Sequence, residues 1–362
     1  MGYAAATVSN ATPEPFVMPA VMDAAAFLQR RDQGVPLLDV RSPSEYARGH
    51  IPGAMNLPLF DDGERARVGA VYARQGRASA VATALALVGG QLEDKLARAR
   101  ALTGGAPPEG TEVLLHCWRG GMRSGALGWL LKAAGFRVHL LSGGYKAYRR
   151  HARLGLEQPR RVVVIGGLTG SGKTEILHAL ARLGEQTVDL EGLAGHRGSA
   201  FGALGDQPSN EWFENQLFER WRSFDPQRTV WLEDESIHIG SVTLYAGFFS
   251  HIPAAPLVCV GIPEEDRLKR LLRLYAGGGA EDRIRAALQR LRKRLGYELT
   301  QRCLEQLEAG DYRAIARAVL SYYDRCYRHQ LSRRDGPVLP LIRREDDPEA
   351  TARRLMELRI FP

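Results

Sequence analysis

The stretch that most limits what this chain can fold into is 161–180. Arg161-Val162-Val163-Val164-Ile165 is a short apolar run of the kind that forms a buried strand, and Glu175-Ile176-Leu177-His178-Ala179-Leu180 supplies a helix after it. Between them stands Gly167-Leu168-Thr169-Gly170-Ser171-Gly172-Lys173-Thr174, a complete G-x-x-x-x-G-K-[ST] (Walker A) pattern. Strand, glycine-rich loop and helix in this order predict an α/β domain whose loop backbone wraps an anion. Gly167, Thr169, Gly170, Ser171 and Gly172 are the expected phosphate-binding backbone, Lys173 pairs with phosphate oxygens, and Thr174 is placed to ligate magnesium. The pattern suits ATP or GTP as well as any other di- or triphosphate. A strand ending in Leu232-Glu233-Asp234-Glu235 gives a second acidic motif, from which Glu233 or Asp234, with Asp234 preferred, shares a magnesium ion with Thr174. Between the two motifs, His196, Arg197 and Ser199 sit among glycines and read as a substrate loop able to hold phosphate or a ribose.

A second chemical centre lies upstream. Glu112-Val113-Leu114-Leu115 reads as a buried strand, followed by His116-Cys117-Trp118-Arg119-Gly120-Gly121-Met122-Arg123-Ser124 and a helix from Gly125 onward. A cysteine at a strand-to-helix turn faces converging backbone N–H groups and the positive end of a helix dipole, which favour thiolate over thiol. Cys117 is therefore the expected nucleophile. Arg119 and Arg123 are expected to neutralise a bound anion and raise the thiolate fraction, and Trp118, Gly120, Gly121, Met122 and Ser124 form the anion loop around it.

At 362 residues the chain has room for two or three domains, each with its own core. The remaining cysteines, at 259, 303 and 326, show neither metal-ligand pairing nor the density of a disulfide framework, and no run approaches the ~18 apolar residues of a membrane span. The expectation is a cytoplasmic protein with no membrane contact, its first fifteen residues a disordered extension without the features of a signal peptide. Lys plus Arg exceed Asp plus Glu by 49 − 41 = 8. Ten of those basic residues fall between 267 and 294 against only Glu281 and Asp282, which predicts a one-sided grip on a phosphate backbone, centred on Arg290, Arg292, Lys293 and Arg294.

In chain order, Asp39-Val40-Arg41-Ser42-Pro43-Ser44-Glu45 and His50-Ile51-Pro52-Gly53-Ala54 precede the cysteine loop, and Ser142-Gly143-Gly144-Tyr145 follows it. This pattern resembles a rhodanese domain, spanning 16–150, with a helical insertion over 65–101; Asp39, Arg41 and Glu45 read as structural ion pairs and turn formers. Residues 151–160 read as a linker, 161–262 as a P-loop domain, and 263–362 as a helical, basic C-terminal region. The fold class is thus α/β: a rhodanese-like domain followed by a P-loop NTPase-like α/β domain with a helical C-terminal region.

The two loops, with His196-Arg197-Gly198-Ser199, Leu232-Glu233-Asp234-Glu235 and Tyr322-Tyr323-Asp324 in that order, resemble the tRNA 2-selenouridine synthase family over about 16–334. The resemblance implies action on 2-thiouridine at the wobble position of tRNA. The sulfur is alkylated by geranyl diphosphate, and the S-geranyl group is then replaced by selenium from selenophosphate. It also implies selenophosphate and geranyl diphosphate as co-substrates, a tRNA anticodon loop as partner, and a selenophosphate synthase as a further partner. Three other readings fit parts of the chain. His-Cys-x-x-Gly-x-x-Arg, from His116 to Arg123, is also the signature of Cys-dependent phosphatases, although these need neither a phosphate-loop domain nor a basic tail. A thiosulfate sulfurtransferase would use the first domain alone. An RNA-binding regulator with a nucleotide switch would leave Cys117 without a task.

Overall fold

The structure, a computed structural model, describes residues 18–105, 107–196, 206–275, 280–342, 347–358 and 360. The predicted N-terminal extension, Arg197 and Ser199 lie outside the described residues. The chain divides into two compact units, Met1–Ala47 with Gly53–Tyr148, and Arg48–Pro52 with Arg149–Pro362.

The first unit is built on a parallel five-stranded sheet of order β1-β5-β4-β2-β3. Its strands are β1 (Ala20–Met22), β2 (Leu37–Asp39), β3 (Met55–Asn56), β4 (Glu112–His116) and β5 (Arg137–Leu141). Helices α1 (Ala24–Asp32) and α2 (Pro43–Arg48) come early, α3 (Asp62–Val88) and α4 (Leu92–Leu102) form the insertion, and α5 (Met122–Ala133) follows the cysteine loop. Strand β4 is central and its Val113, Leu114 and Leu115 are fully buried, as its unbroken apolar run requires of a parallel strand covered on both faces. The expected helical insertion is present, and Asp61 starts it with a reciprocal cap to Glu64. Within α3 the helix is broken at Gly76, whose φ of 80° lies in the left-handed region.

Helix α6 (Gly144–Leu156) takes up residues 151–156 of the stretch expected to be a linker. Tyr145, Tyr148, Ala152 and Leu156 recur at three- and four-residue spacing and are all buried, so burial of that stripe carries the helix well past His151.

The second unit has its own parallel sheet, order β12-β11-β6-β8-β7. Strand β6 (Arg161–Gly166) leads into the phosphate loop and α7 (Lys173–Arg182); β7 (Gln186–Val188), α8 (Leu190–Ala194), α9 (Asn210–Arg222) and β8 (Thr229–Glu233) follow. A small hairpin, β9 (His238–Ile239) with β10 (Val242–Thr243), and two short helices, α10 (Ala246–Phe249) and α11 (His251–Ala254), precede β11 (Leu257–Gly261). The C-terminal region is mostly helical: α12 (Glu264–Tyr275), α13 (Ala280–Leu295), α14 (Tyr297–Glu308), α15 (Tyr312–Leu331) and α16 (Pro348–Met356). Helices α13 to α15 share a core of Ile284, Leu288, Cys303, Leu307, Ile315 and Val319.

This region is not helical throughout, because β12 (Val338–Ile342) returns to the sheet beside β11. Pro337 and Pro340 hide it in the sequence. A proline lacks the N–H a central strand needs but is tolerated at an edge, and β12 is the edge.

Candidate active site

In the first unit the strand-to-helix turn forms the expected nest. Cys117 is 3% exposed at the end of β4. Burial alone would raise its thiol pKa. The Ser124 hydroxyl, donating to Sγ at 3.2 Å, and the backbone N–H groups of Ser124, Arg119 and Gly121 outweigh burial and lower it.

The guanidinium expected to assist is engaged elsewhere. Arg123 makes a fork to Glu45, 2.5 Å from Nη1 to Oε2 and 3.3 Å from Nη2 to Oε1. Burial pushes the Glu45 carboxyl up, but Arg123 and the Ser42 N–H outweigh it and hold the pKa below the usual carboxylate range. Arg123 thus braces the loop from α2, and the nest polarises the thiol. Arg119 is exposed, as are Gly120, Gly121 and Met122 at the loop mouth.

The loop is seated on the segment that closes the domain. Tyr145 N–H donates to the Cys117 carbonyl at 2.8 Å and Lys146 N–H to the Trp118 carbonyl at 3.0 Å. Gly144 has φ +60°, and a Cβ there would stand 2.4 Å from both the Cys117 oxygen and the Gly120 nitrogen, so a side chain would displace the nest. Beneath lies a buried ionic core. Arg41 pairs with Asp39 at 2.5 Å and stacks on Tyr145, its guanidinium carbon 3.9 Å from the ring centre, while His116 Nε2 stands 3.6 Å from Asp39. Asp39, Arg41 and Glu45 are ion-paired supports, as the sequence suggested.

In the second unit the phosphate loop joins β6 to α7. Lys173 Nζ donates to the Gly167 carbonyl at 3.1 Å, drawing the lysine back across the loop, and Gly172 caps α7 in the left-handed conformation. Helix α12 closes over this loop. A Cβ at Gly172 would lie 2.7 Å from Nη2 of Arg270, whose guanidinium pairs with Glu175 at 2.6 Å. Arg267 is buried, forked to Asp324 at 2.8 Å on both arms, and donates to the Thr169 carbonyl at 3.3 Å. From α15, the Tyr327 hydroxyl accepts the Gly167 N–H at 2.7 Å, and burial followed by the Asp234 charge raises its pKa.

These contacts correct the reading of 267–294 as one basic face. Arg267 and Arg270 hold the loop, Lys269 pairs with Asp266 at 3.2 Å, and Arg285 reaches Glu308 at 3.7 Å. Arg290, Arg292, Lys293 and Arg294 remain exposed on α13.

The acidic motif also resolves differently. Asp234, expected beside Thr174, is ion-paired with Arg334 at 3.1 Å and nearly buried. The acids gathered at Thr174 are Glu191, Glu233 and Glu235, one carboxylate oxygen of each lying within 4.8 Å of the others. Thr174 Oγ1 donates to Glu191 at 3.2 Å. Burial, then the Glu191 charge, pushes Glu235 up to about 8, and the same causes raise Glu233. Glu191 carries no motif signal. It enters because Asp189 caps α8 just after β7 and turns the chain toward the loop. Burial, then the charge of Arg290, lowers the pKa of His196.

The sequence profile of the tRNA 2-selenouridine synthase AAA domain matches residues 160–352, more than half of the chain. The chain belongs to the tRNA 2-selenouridine synthase family. A rhodanese-like domain profile matches residues 23–151, which contain the cysteine nest. Similar relatives are the tRNA 2-selenouridine synthases of Shewanella denitrificans, 36% identical over 357 residues covering 89% of this chain and 94% of the relative, and of Pseudomonas entomophila, 36% identical over 339 residues covering 84% and 89%. That of Pseudomonas putida F1 is 38% identical over 309 residues, covering 79% and 81%. As in the sequence reading, a rhodanese domain precedes an α/β phosphate-loop domain of this synthase family. No helix among the described residues is long and apolar enough to cross a membrane.

Proposed function

We propose that this protein converts wobble 2-thiouridine of tRNA to 2-selenouridine in two transfers. In the first, the thiocarbonyl sulfur attacks the allylic carbon of geranyl diphosphate and diphosphate leaves into the phosphate loop, where Lys173 and the loop N–H groups take up its charge. In the second, the Cys117 thiolate attacks the phosphorus of selenophosphate held in the nest and selenide departs; the selenide bonds to carbon 2 of the base and expels geranyl thiolate, and water then takes the phosphoryl group from Cys117 as phosphate. Alkylation precedes exchange because geranyl thiolate is a far better leaving group from that carbon than the unalkylated thiocarbonyl sulfur. The observation that carries this reading is one chain of this family holding two anion sites of different chemistry, a thiol polarised by backbone N–H groups and a lysine-bearing phosphate loop. The test is mass spectrometry of the wobble nucleoside after incubation with 2-thiouridine tRNA. Geranyl diphosphate alone should give S-geranyl-2-thiouridine, and both donors together 2-selenouridine, without ATP. Dependence on ATP, or selenation without geranyl diphosphate, would refute the sequence of transfers.

The exposed end of α13 supports a tRNA grip through Arg290, Arg292, Lys293 and Arg294. A wobble base lies in a single-stranded loop and is splayed out without melting a duplex, so backbone contacts are what hold the substrate. Neutralising all four is expected to reduce the log–log salt slope of tRNA binding by roughly 0.7–0.9 per lost contact. The loss should be equal for substrate and non-substrate tRNAs, because phosphate contacts position and do not specify. A salt titration that leaves slope and affinity unchanged would make these residues a solvated face.

A further inference from the structure

The helical insertion of the first unit has no task in the two transfers. Its α3 is not one straight rod. Glu64 and Gln91, 27 residues apart, would stand about 40 Å from each other in a continuous helix, yet a 2.8 Å hydrogen bond joins them. The chain therefore runs out and returns, and it reverses at Gly76, whose dihedrals are non-helical (φ 80°, ψ −174°). The result is a helical hairpin with its root at Glu64 and Gln91 and its tip at Gly76, about 18 Å away along the outgoing arm. Ala80 and Val88 of the returning arm are buried, and residues 72–78 are all exposed.

Charge and position together point to one kind of partner. From 65 to 92 there is no Asp or Glu, while Arg65, Arg67, Arg74 and Arg77 lie in the same stretch. A surface kept only for solubility mixes both signs, so charge of one sign on a projecting arm fits a polyanion. Arg67 and Arg74 stand two turns apart on one face of the outgoing arm, Arg77 lies just past the tip, and all three are exposed. The root fixes where that polyanion would lie. Arg65, at the foot, reaches Glu45 at 3.9 Å, and the same carboxylate holds Arg123 of the cysteine loop at 2.5 Å. The hairpin thus rises from the rim of the Cys117 nest, within one unit.

We propose that Arg67, Arg74 and Arg77 make this hairpin an RNA-binding arm, which grips the phosphate backbone of the tRNA whose base is presented to the Cys117 nest. Tyr72, 57% exposed near the tip, adds a hydroxyl donor to the same backbone. The arm deepens the reading of the protein as a tRNA-modifying enzyme, and rests on that reading for the RNA being tRNA. A grip that begins at the rim of the nest and extends about 18 Å from it holds the substrate without covering the splayed-out base. The test is tRNA binding by the full-length protein across a salt series, comparing the parent with the triple variant Arg67→Gln, Arg74→Gln, Arg77→Gln. Glutamine keeps the helix propensity of arginine at these exposed positions, so the melting temperature should not move. The log–log salt slope is expected to fall by roughly 2–3, and affinity at ~0.1 M salt at least tenfold. Unchanged slope and affinity would overturn the arm, and if that variant still made 2-selenouridine the proposed function would stand without it. A parent whose salt slope drops with these substitutions, yet which makes no 2-selenouridine, would keep the arm and refute the proposed function.

Discussion

Cys117→Ser is expected to abolish 2-selenouridine while S-geranyl-2-thiouridine accumulates. The nest lowers the pKa of a thiol through the Ser124 hydroxyl and three backbone N–H groups, acting against burial. Serine keeps the shape and accepts the same hydrogen bonds, but its hydroxyl ionises so far above neutral pH that the nest cannot supply an oxyanion nucleophile. The variant therefore removes the nucleophile and leaves the fold of the loop intact, since Tyr145 and Lys146 hold it through the carbonyls of Cys117 and Trp118. On the proposed function, geranylation draws on the phosphate loop of the other unit and should proceed at the parent rate. Nucleoside mass spectrometry over a time course separates the two products. A variant that makes 2-selenouridine at the parent rate would remove Cys117 from the chemistry.

Both loops were legible because each is continuous in sequence and works largely through its own backbone. Cys117 to Ser124 carries the thiol, the glycines that let the chain curl and the helix that follows; Gly167 to Thr174 does the same for phosphate. What escaped was contributed from a distance. Glu45 takes Arg123 across 78 residues and Tyr327 reaches Gly167 across 160, pairings that no local pattern encodes. The acidic motif misled for a related reason. Of the three acids in a row at 233–235, Glu233 and Glu235 face the cluster beside Thr174, and only Asp234 turns away, to Arg334.

The fold followed the same division. Buried parallel strands such as β4 and β6 announce themselves as apolar runs, and α3 and α4 as helical periodicity. Strand β12, with two prolines in its neighbourhood, reads as loop until the β11 edge pairs with it. The basic residues on α12 look like surface charge until the fold supplies their partners. Arg267 is consumed by Asp324 and Arg270 lies over Gly172. Charge counting located a basic region, and only packing decided that Arg267 and Arg270 are withdrawn from its surface.

Lys173→Ala is expected to weaken geranyl diphosphate binding about ten- to a hundredfold, the equivalent of losing one charge-assisted contact of roughly 1.5–3 kcal/mol. Lys173 Nζ rests on the Gly167 carbonyl at 3.1 Å, so it lies across the loop that the proposed function gives to the leaving diphosphate. Its charge also opposes the repulsion among Glu191, Glu233 and Glu235, so the alanine variant leaves that cluster less compensated as well. Both effects fall on the first transfer. On the proposed function, selenation of tRNA that has been geranylated beforehand uses the Cys117 nest and should survive. Equilibrium binding of geranyl diphosphate, paired with single-turnover selenation of pre-geranylated tRNA, reads the two halves separately. If ATP hydrolysis proves obligatory and geranyl diphosphate affinity is unchanged in the variant, the loop serves a nucleotide and the prenyl donor binds elsewhere.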